Sequence, residues 1–244
     1  MKLVLYQYPG GDGIASISPP CLRVDLAMRW LGKPYDRRDI RDPKITRRVS
    51  PINRLPALEI DGQYFAESTR ILDELERRFD VPWKVDDPHE ATHLRLWEYT
   101  VNDYLYWCGF SMRWVDPVGR DLFLGALLKD APWIKRFVIQ HLFSRKQVRR
   151  AQLHSAGQRP IAHLVEEIDR NLAMLETDLR GGAFLLGRAQ PSRADLTVLS
   201  LLSQCGFFDS MPAVKDRVEA RPELVAYLQR IAAVCGGEIP RWLE

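Results

Sequence analysis

Residues Ala57–Ile60 and Gln63–Ala66 each follow a strand pattern, and Asp61-Gly62 between them is a strong two-residue hairpin signal. The period then lengthens. Ile71, Leu72, Leu75 and Phe79 share one face of a helix that Ser68 is predicted to cap, with Arg77 and Arg78 in the last turn, where cations suit the helix dipole. Upstream, Lys2–Tyr8 is expected to be a buried first strand, closed by the loop Pro9-Gly10-Gly11-Asp12-Gly13. Ser18-Pro19-Pro20 opens a helix through Leu22, Val24, Leu26, Ala27 and Trp30 that stops at Gly32-Lys33-Pro34. Tyr35–Ile40 is expected to be a second, charge-bearing strand, and 42–48 an irregular or helical connector.

Asp80–Pro88, with Pro82 and Pro88, is expected to be a linker, and beyond His89 the strand patterns stop. About five or six helices are predicted there from the apolar periodicity. Trp97, Val101, Tyr104, Trp107, Cys108 and Trp114 form a stripe of core type, with Glu98 and Asp103 as its polar positions. Lys129–Arg150 carries Lys135, Arg136, Arg145, Lys146, Arg149 and Arg150 around Phe137, Val138, Ile139, Leu142 and Phe143. It is expected to set a solvated basic face over a core face, with an anionic membrane surface as the less favoured occupant. An amphipathic helix is predicted over 160–179, and the nearly all-apolar Leu196–Phe208 marks a central helix behind Ser192 and Asp195, which have capping-box spacing. The division is therefore 1–82, a mixed sheet with helices, and 88–244, all helical.

Two positions around the hairpin carry candidate chemistry. Pro56 cannot donate to a ladder, so it belongs at the strand's first position, with the Leu55 N–H and C=O able to pair outside the sheet. Glu67 and Ser68 at a helix start suit the ammonium and carboxylate of an amino acid or peptide.

Composition narrows the class. With 46% apolar and 27% charged residues, a chain of 244 residues buries a sizeable core. A net charge of +3, without a basic run interleaved with aromatics, gives no case for nucleic acid. Cys21, Cys108, Cys205 and Cys235 have no metal-ligand spacing and are too sparse for a disulfide framework, which suggests a reducing compartment. No apolar run is long enough for a signal or a membrane span, so a cytoplasmic location is expected.

In this order Ser18-Pro-Pro-Cys21, Leu55-Pro56, Glu67-Ser68 and Ser192-Arg-Ala-Asp195 resemble the cytosolic glutathione transferase family along nearly the whole chain. The resemblance implies the family fold, an α/β thioredoxin-like N-terminal domain followed by an all-α helical domain. It implies glutathione as co-substrate and detoxifying attack of its thiol on a small apolar electrophile. Ser18 would donate a hydrogen bond to the sulfur, Leu55 and a cis Pro56 would pair with the cysteinyl backbone, Glu67 and Ser68 would hold the γ-glutamyl end, and Arg54 the glycyl carboxylate. Tyr104, Trp107 and Trp114 are candidates to shape the electrophile pocket. A homodimer is implied by the resemblance alone; no metal, nucleic acid or membrane contact is expected.

The sizes agree. A thiol titrates near pH ~8.5, and lowering that by two units takes about 2.7 kcal/mol. A helix N-terminus supplies about 0.3–2 kcal/mol and a hydrogen bond to a charged group about 1.5–3 kcal/mol. Ser18 is the catalytic candidate. The loop before it is longer than is typical of the family, so Tyr8 at the end of the first strand stays open as the alternative. Cys21 lacks a cysteine partner at position 18 and is expected to be a buried small residue. The long loop, with Tyr104-Leu-Tyr-Trp107 and Arg113-Trp114, is also similar to the metaxin and failed-axon-connections branch, which implies the alternative of a non-catalytic binding module, membrane-associated in one version.

Overall fold

The computed structural model describes residues 1–244 apart from 12, 130, 207, 208 and 244, with Lys135 described by its backbone alone. By contact the chain falls into two compact units: Met1–Glu98 with Leu179–Gln204 and Ala226–Glu244, and Tyr99–Asp178 with Cys205–Val225.

The first unit is built on a four-stranded sheet of order β2-β1-β3-β4, formed by β1 (Leu3–Gln7), β2 (Asp36–Asp39), β3 (Ala57–Ile60) and β4 (Gln63–Ala66). β1 is wholly buried and pairs parallel with β2 and antiparallel with β3, and β3 pairs antiparallel with β4. The β1-to-β2 crossover is α1 (Pro19–Leu31), as a parallel pair requires. β2, Asp-Arg-Arg-Asp, is exposed along its length; a short charged strand protects the sheet edge. Asp61 and Gly62 have φ of 48° and 87°, the positive values that a tight hairpin turn demands of both central residues. The 42–48 connector is helical, as α2 (Pro43–Val49), with the Asp42 carboxylate accepting from the Lys44 N–H at 2.8 Å. The hairpin leads into α3 (Ser68–Arg78).

Of the helices beyond the linker, α4 (Pro88–Tyr99), through Glu98, and α10 (Arg193–Leu202) belong to the first unit, and α10 packs on α1. The Asp195 carboxylate ties down the start of α10: it accepts from the Ser192 N–H and hydroxyl, both at 2.7 Å, from the Leu185 N–H at 3.1 Å and from the Tyr227 hydroxyl at 2.8 Å. The capping box is therefore present, with Asp reaching back where Glu or Gln is usual.

The second unit contains a π-helical turn, Thr100–Leu105, running into α5 (Tyr106–Trp114), then α6 (Pro117–Leu127), α7 (Trp133–Val138), a second π-helical turn (Ile139–Phe143), α8 (Ser144–Gln152), most of α9 (Ile161–Leu179) and α11 (Pro212–Glu219); α12 (Pro222–Cys235) begins in it. Helices α6 and α11 exceed the sequence-based number. Each starts at a proline, and α6 has Asp116 accepting from the Val118 and Gly119 N–H groups, short-range signals that the apolar periodicity alone does not weigh. Gly119 has a packing reason: a Cβ there would lie 2.4 Å from the Met112 carbonyl oxygen. The sequence-based central helix Leu196–Phe208 is regular only to Leu202, and Phe207 and Phe208 lie outside the described residues.

Candidate functional site

The candidate residues of the first unit gather at three chain turns. The first is the loop from β1 to α1. Its extra length is an out-and-back excursion: Gly11 and Ile14 exchange two backbone hydrogen bonds (3.1 and 3.0 Å), and the Ile17 N–H donates to the Pro9 carbonyl at 3.1 Å, closing the base. Gly10 must be glycine, since a Cβ there would meet the Ile14 carbonyl oxygen at 2.0 Å. Ser16, which sequence reasoning did not single out, ties the loop to the strand end. Its hydroxyl donates to the Tyr8 carbonyl at 2.7 Å and accepts from the Ser18 N–H at 3.3 Å. Ser18 thus returns to the end of β1 despite the long loop. Asp12 lies outside the described residues.

Ser18 occupies the N-cap position of α1, yet its side chain makes no capping hydrogen bond. Pro19 and Pro20 carry no N–H, so of the first three helical residues only Cys21 has a donor to offer. Ser18 is half-buried and lies three residues before the Cys21 thiol. Burial pushes that thiol up to about 11, opposed by hydrogen bonds from the Tyr8 backbone and from the Ser18 and Ser16 side chains. Cys21 is a neutral packing residue at physiological pH, in one apolar cluster with Val4, Tyr6, Leu55 and Ala57, against which Tyr8 packs.

The second turn is Arg54-Leu55-Pro56, where the Leu55–Pro56 peptide bond is cis. Ser50 fixes the approach: its hydroxyl donates to the Arg54 carbonyl and accepts from the Arg54 N–H at 3.2 Å. The Arg54 side chain is exposed. Leu55 is only 6% exposed, and among the described residues no hydrogen bond engages its N–H or its carbonyl.

The third turn is the start of α3, and it corrects the sequence reading of the cap. Glu67, not Ser68, is the N-cap; its carboxylate accepts from the Thr69 N–H at 3.0 Å and the Arg70 N–H at 3.1 Å. To do this Glu67 adopts φ of 76°, a conformation costly for a side chain with a Cβ. Ser68 is the buried first helical residue.

Behind this turn lies a buried charge network. The Arg23 guanidinium donates to the Thr69 hydroxyl at 3.1 Å and to Glu98 at 2.6 Å, while Arg193 donates to the Thr69 carbonyl at 3.2 Å and pairs with Glu98 at 2.8 Å. Asp73 and Glu76 close it through Arg193. Burial raises the Asp73 carboxyl, but Arg193 and Arg95 outweigh it and hold the group below its ordinary value. Glu98, a polar position in the Trp97–Trp114 stripe, is 1% exposed and fully paired. Arg23 was not legible beforehand; it sits in a helix read by its apolar positions, and its partner Glu98 is far along the chain.

A cleft of about 400 Å³ opens beside the same loop, lined by Gly10, Gly11, Gly13, Arg37, Asp39 and Glu238 among others. It borders the β1–α1 loop, but Ser18, Leu55 and Glu67 do not line it. Among the described residues no group of His, Cys, Asp and Glu has the geometry to hold a metal ion.

In the second unit, the Tyr104 hydroxyl donates to Glu167 at 3.0 Å and accepts from Arg159 at 3.2 Å. The Trp107 ring stacks on His154 with centroids 3.4 Å apart and has the Arg150 guanidinium 5.1 Å from its centre. Trp114 is buried, in contact with Phe123 and Phe143.

A thioredoxin-like sheet followed by a run of helices defines the class, and comparison with known proteins agrees. Residues 14–83 match the N-terminal domain of the glutathione S-transferase family, and residues 146–230 match its C-terminal domain. The chain belongs to the glutathione S-transferase family. Failed axon connections of Drosophila melanogaster is 25% identical over 99% of this chain, and the match covers 59% of that protein's length. Among solved structures, an apo variant of human glutathione-S-transferase T1-1 is 22% identical with a TM-score of 0.64, covering 96% of this chain and 84% of its own. Rice GST1 in complex with glutathione is 19% identical with a TM-score of 0.64, covering 95% and 86%. At these identities the structures establish the fold.

Proposed function

We propose that the protein binds glutathione along Leu55 and Pro56 and at the start of α3, and that Ser18 activates the glutathione thiol for attack on a small apolar electrophile. Residues 1–82 serve as the glutathione-binding domain and 88–244 as the helical domain. The observation that carries this reading is Leu55: a nearly buried residue whose N–H and carbonyl have no partner among the described residues. Unpaired buried backbone groups are costly, and an extended tripeptide backbone is a ligand that pairs with both.

The remaining roles follow from charge. The Glu67 carboxylate, fixed by two N–H groups, accepts from the γ-glutamyl ammonium, and the Ser68 hydroxyl and N–H take the neighbouring carboxylate at the positive end of α3. Arg54, exposed and with its backbone pinned by Ser50, reaches the glycyl carboxylate. The prolines leave little N–H density at the start of α1, so the Ser18 hydroxyl carries more of the thiolate stabilisation than it would at an ordinary helix start. The thiol proton leaves to solvent; the thiolate then forms the carbon–sulfur bond and the electrophile's leaving group departs with the electron pair.

Retention on immobilised glutathione, a rise in Tm with glutathione, and conjugation of a chlorodinitrobenzene-type electrophile test the reading in sequence. The absence of both retention and a Tm shift overturns it. The match to Failed axon connections over 99% of this chain favours a second reading, a non-catalytic binding module. Under that reading no conjugation is measured even where glutathione raises the Tm.

A further inference from the structure

The helical segment from α7 through α8 departs from its sequence-based expectation. From Trp133 to Phe143 its apolar residues are largely exposed: Trp133 is 75% exposed, Ile134 59%, Phe137 56% and Leu142 62%, with Val138 exposed too and Phe143 exposed apart from its edge contact with Trp114. Burial begins only in α8, at Ser144, Gln147 and Ala151. An aromatic and aliphatic surface of this kind marks a contact with something outside the chain.

Charge indicates what that contact is. Residues 131–165 contain Lys135, Arg136, Arg145, Lys146, Arg149, Arg150 and Arg159 and no Asp or Glu, so this segment carries +7 where the whole chain carries +3. Arg136, Arg145, Lys146 and Arg149 are exposed, and among the described residues none of them has a carboxylate partner. Nucleic acid would answer the cations and the aromatic rings, but it gives the exposed aliphatic Ile134, Val138 and Leu142 nothing to enter. An anionic bilayer answers both: apolar side chains enter the headgroup and acyl boundary while cations face the phosphates. No helix among the described residues is long and apolar enough to cross a membrane, so the contact lies in the interface plane. We propose that Trp133–Arg150 is a membrane-surface-binding element that lays the protein on a bilayer rich in anionic lipid.

The test is co-sedimentation of the full chain with phosphatidylcholine vesicles, with and without phosphatidylserine. Binding is expected only with phosphatidylserine, and it should weaken as salt rises. Arg145→Gln with Lys146→Gln should lower partitioning by roughly 25-fold, at about fivefold per cation. Phe137→Gln with Leu142→Gln should lower it at least ~10-fold. All four positions are exposed, so circular-dichroism melts of both variants should match wild type. No binding to phosphatidylserine vesicles at low salt overturns the proposal. So does binding that Phe137→Gln with Leu142→Gln leaves unchanged, because the surface is then a general polyanion site. A wild-type dimer in sedimentation that the apolar variant converts to monomer also overturns it, since a second copy of the chain is then the occupant.

Discussion

The Glu67 carboxylate accepts a hydrogen bond from the Thr69 N–H at 3.0 Å, and Glu67 itself holds a φ of 76°. Cap and strain sit on one residue and can be separated. Glu67→Ala keeps the positive φ and loses the cap, and is expected to cost about 1 kcal/mol in urea unfolding. Glu67→Gly loses the same cap but relieves a backbone cost of about 1–3 kcal/mol, so it should be close to wild type or more stable. Both variants should lose the Tm rise with glutathione, because both remove the acceptor for the ammonium.

Glu98 lies between two buried guanidinium groups, those of Arg23 and Arg193. Removing its carboxylate leaves two buried cations facing each other, so Glu98→Ala is expected to lose about 3–5 kcal/mol of unfolding free energy. Glu98→Gln should lose less, since the amide oxygen still accepts one hydrogen bond. The two arginines also hold Thr69, so glutathione affinity should fall in both variants, which thermal-shift titration would read.

Asp195 accepts four hydrogen bonds in the first unit, and burial raises its carboxyl above the ordinary value. Asp195→Ala removes the cap and leaves the Leu185 N–H and the Tyr227 hydroxyl unmatched. It is expected to cost about 3 kcal/mol or more by denaturant titration. A raised acid is more readily protonated folded than unfolded, so its ionisation destabilises as pH climbs through the folded value. Asp195→Asn should therefore show a stability profile that falls less as pH rises above the carboxylate range.

Glu74 behaves oppositely. Hydrogen bonds from Arg77 and then Arg78 hold its carboxyl at about 2, against an ordinary 4.5. The unfolded chain binds the proton first, so the stability this group contributes is present above pH 4.5 and is lost as pH falls toward about 2. Glu74→Gln should flatten that acid limb by up to about 1 kcal/mol, and salt should shrink the difference, because the arginines reach into solvent.

The hairpin and the strand edges were legible because Asp-Gly and the alternation around it are local signals, and β3 and β4 fall on the residues that pattern marks. The helix start at Ser68 was legible, but its cap was not. Serine is the common cap, and nothing local announces that Glu67 will take positive φ so that its longer side chain reaches two N–H groups. Glu98 and Arg23 are far apart in sequence, and pairing at such distance leaves no periodic trace. The exposure of Phe137 and Leu142 was hidden for a related reason. Periodicity shows that a helix has apolar positions, and only the fold shows whether another element covers them.

The central claim is that the Ser18 hydroxyl stabilises the glutathione thiolate, and the most direct measurement is a pH titration of the ultraviolet thiolate absorbance of bound glutathione. Wild type and Tyr8→Phe should titrate together, well below the free thiol value of about 8.5. Ser18→Ala should move the midpoint upward by about 1–2 units, the size of one hydrogen bond to a charged group. A midpoint unchanged in Ser18→Ala but raised in Tyr8→Phe would contradict the account and give the role to Tyr8.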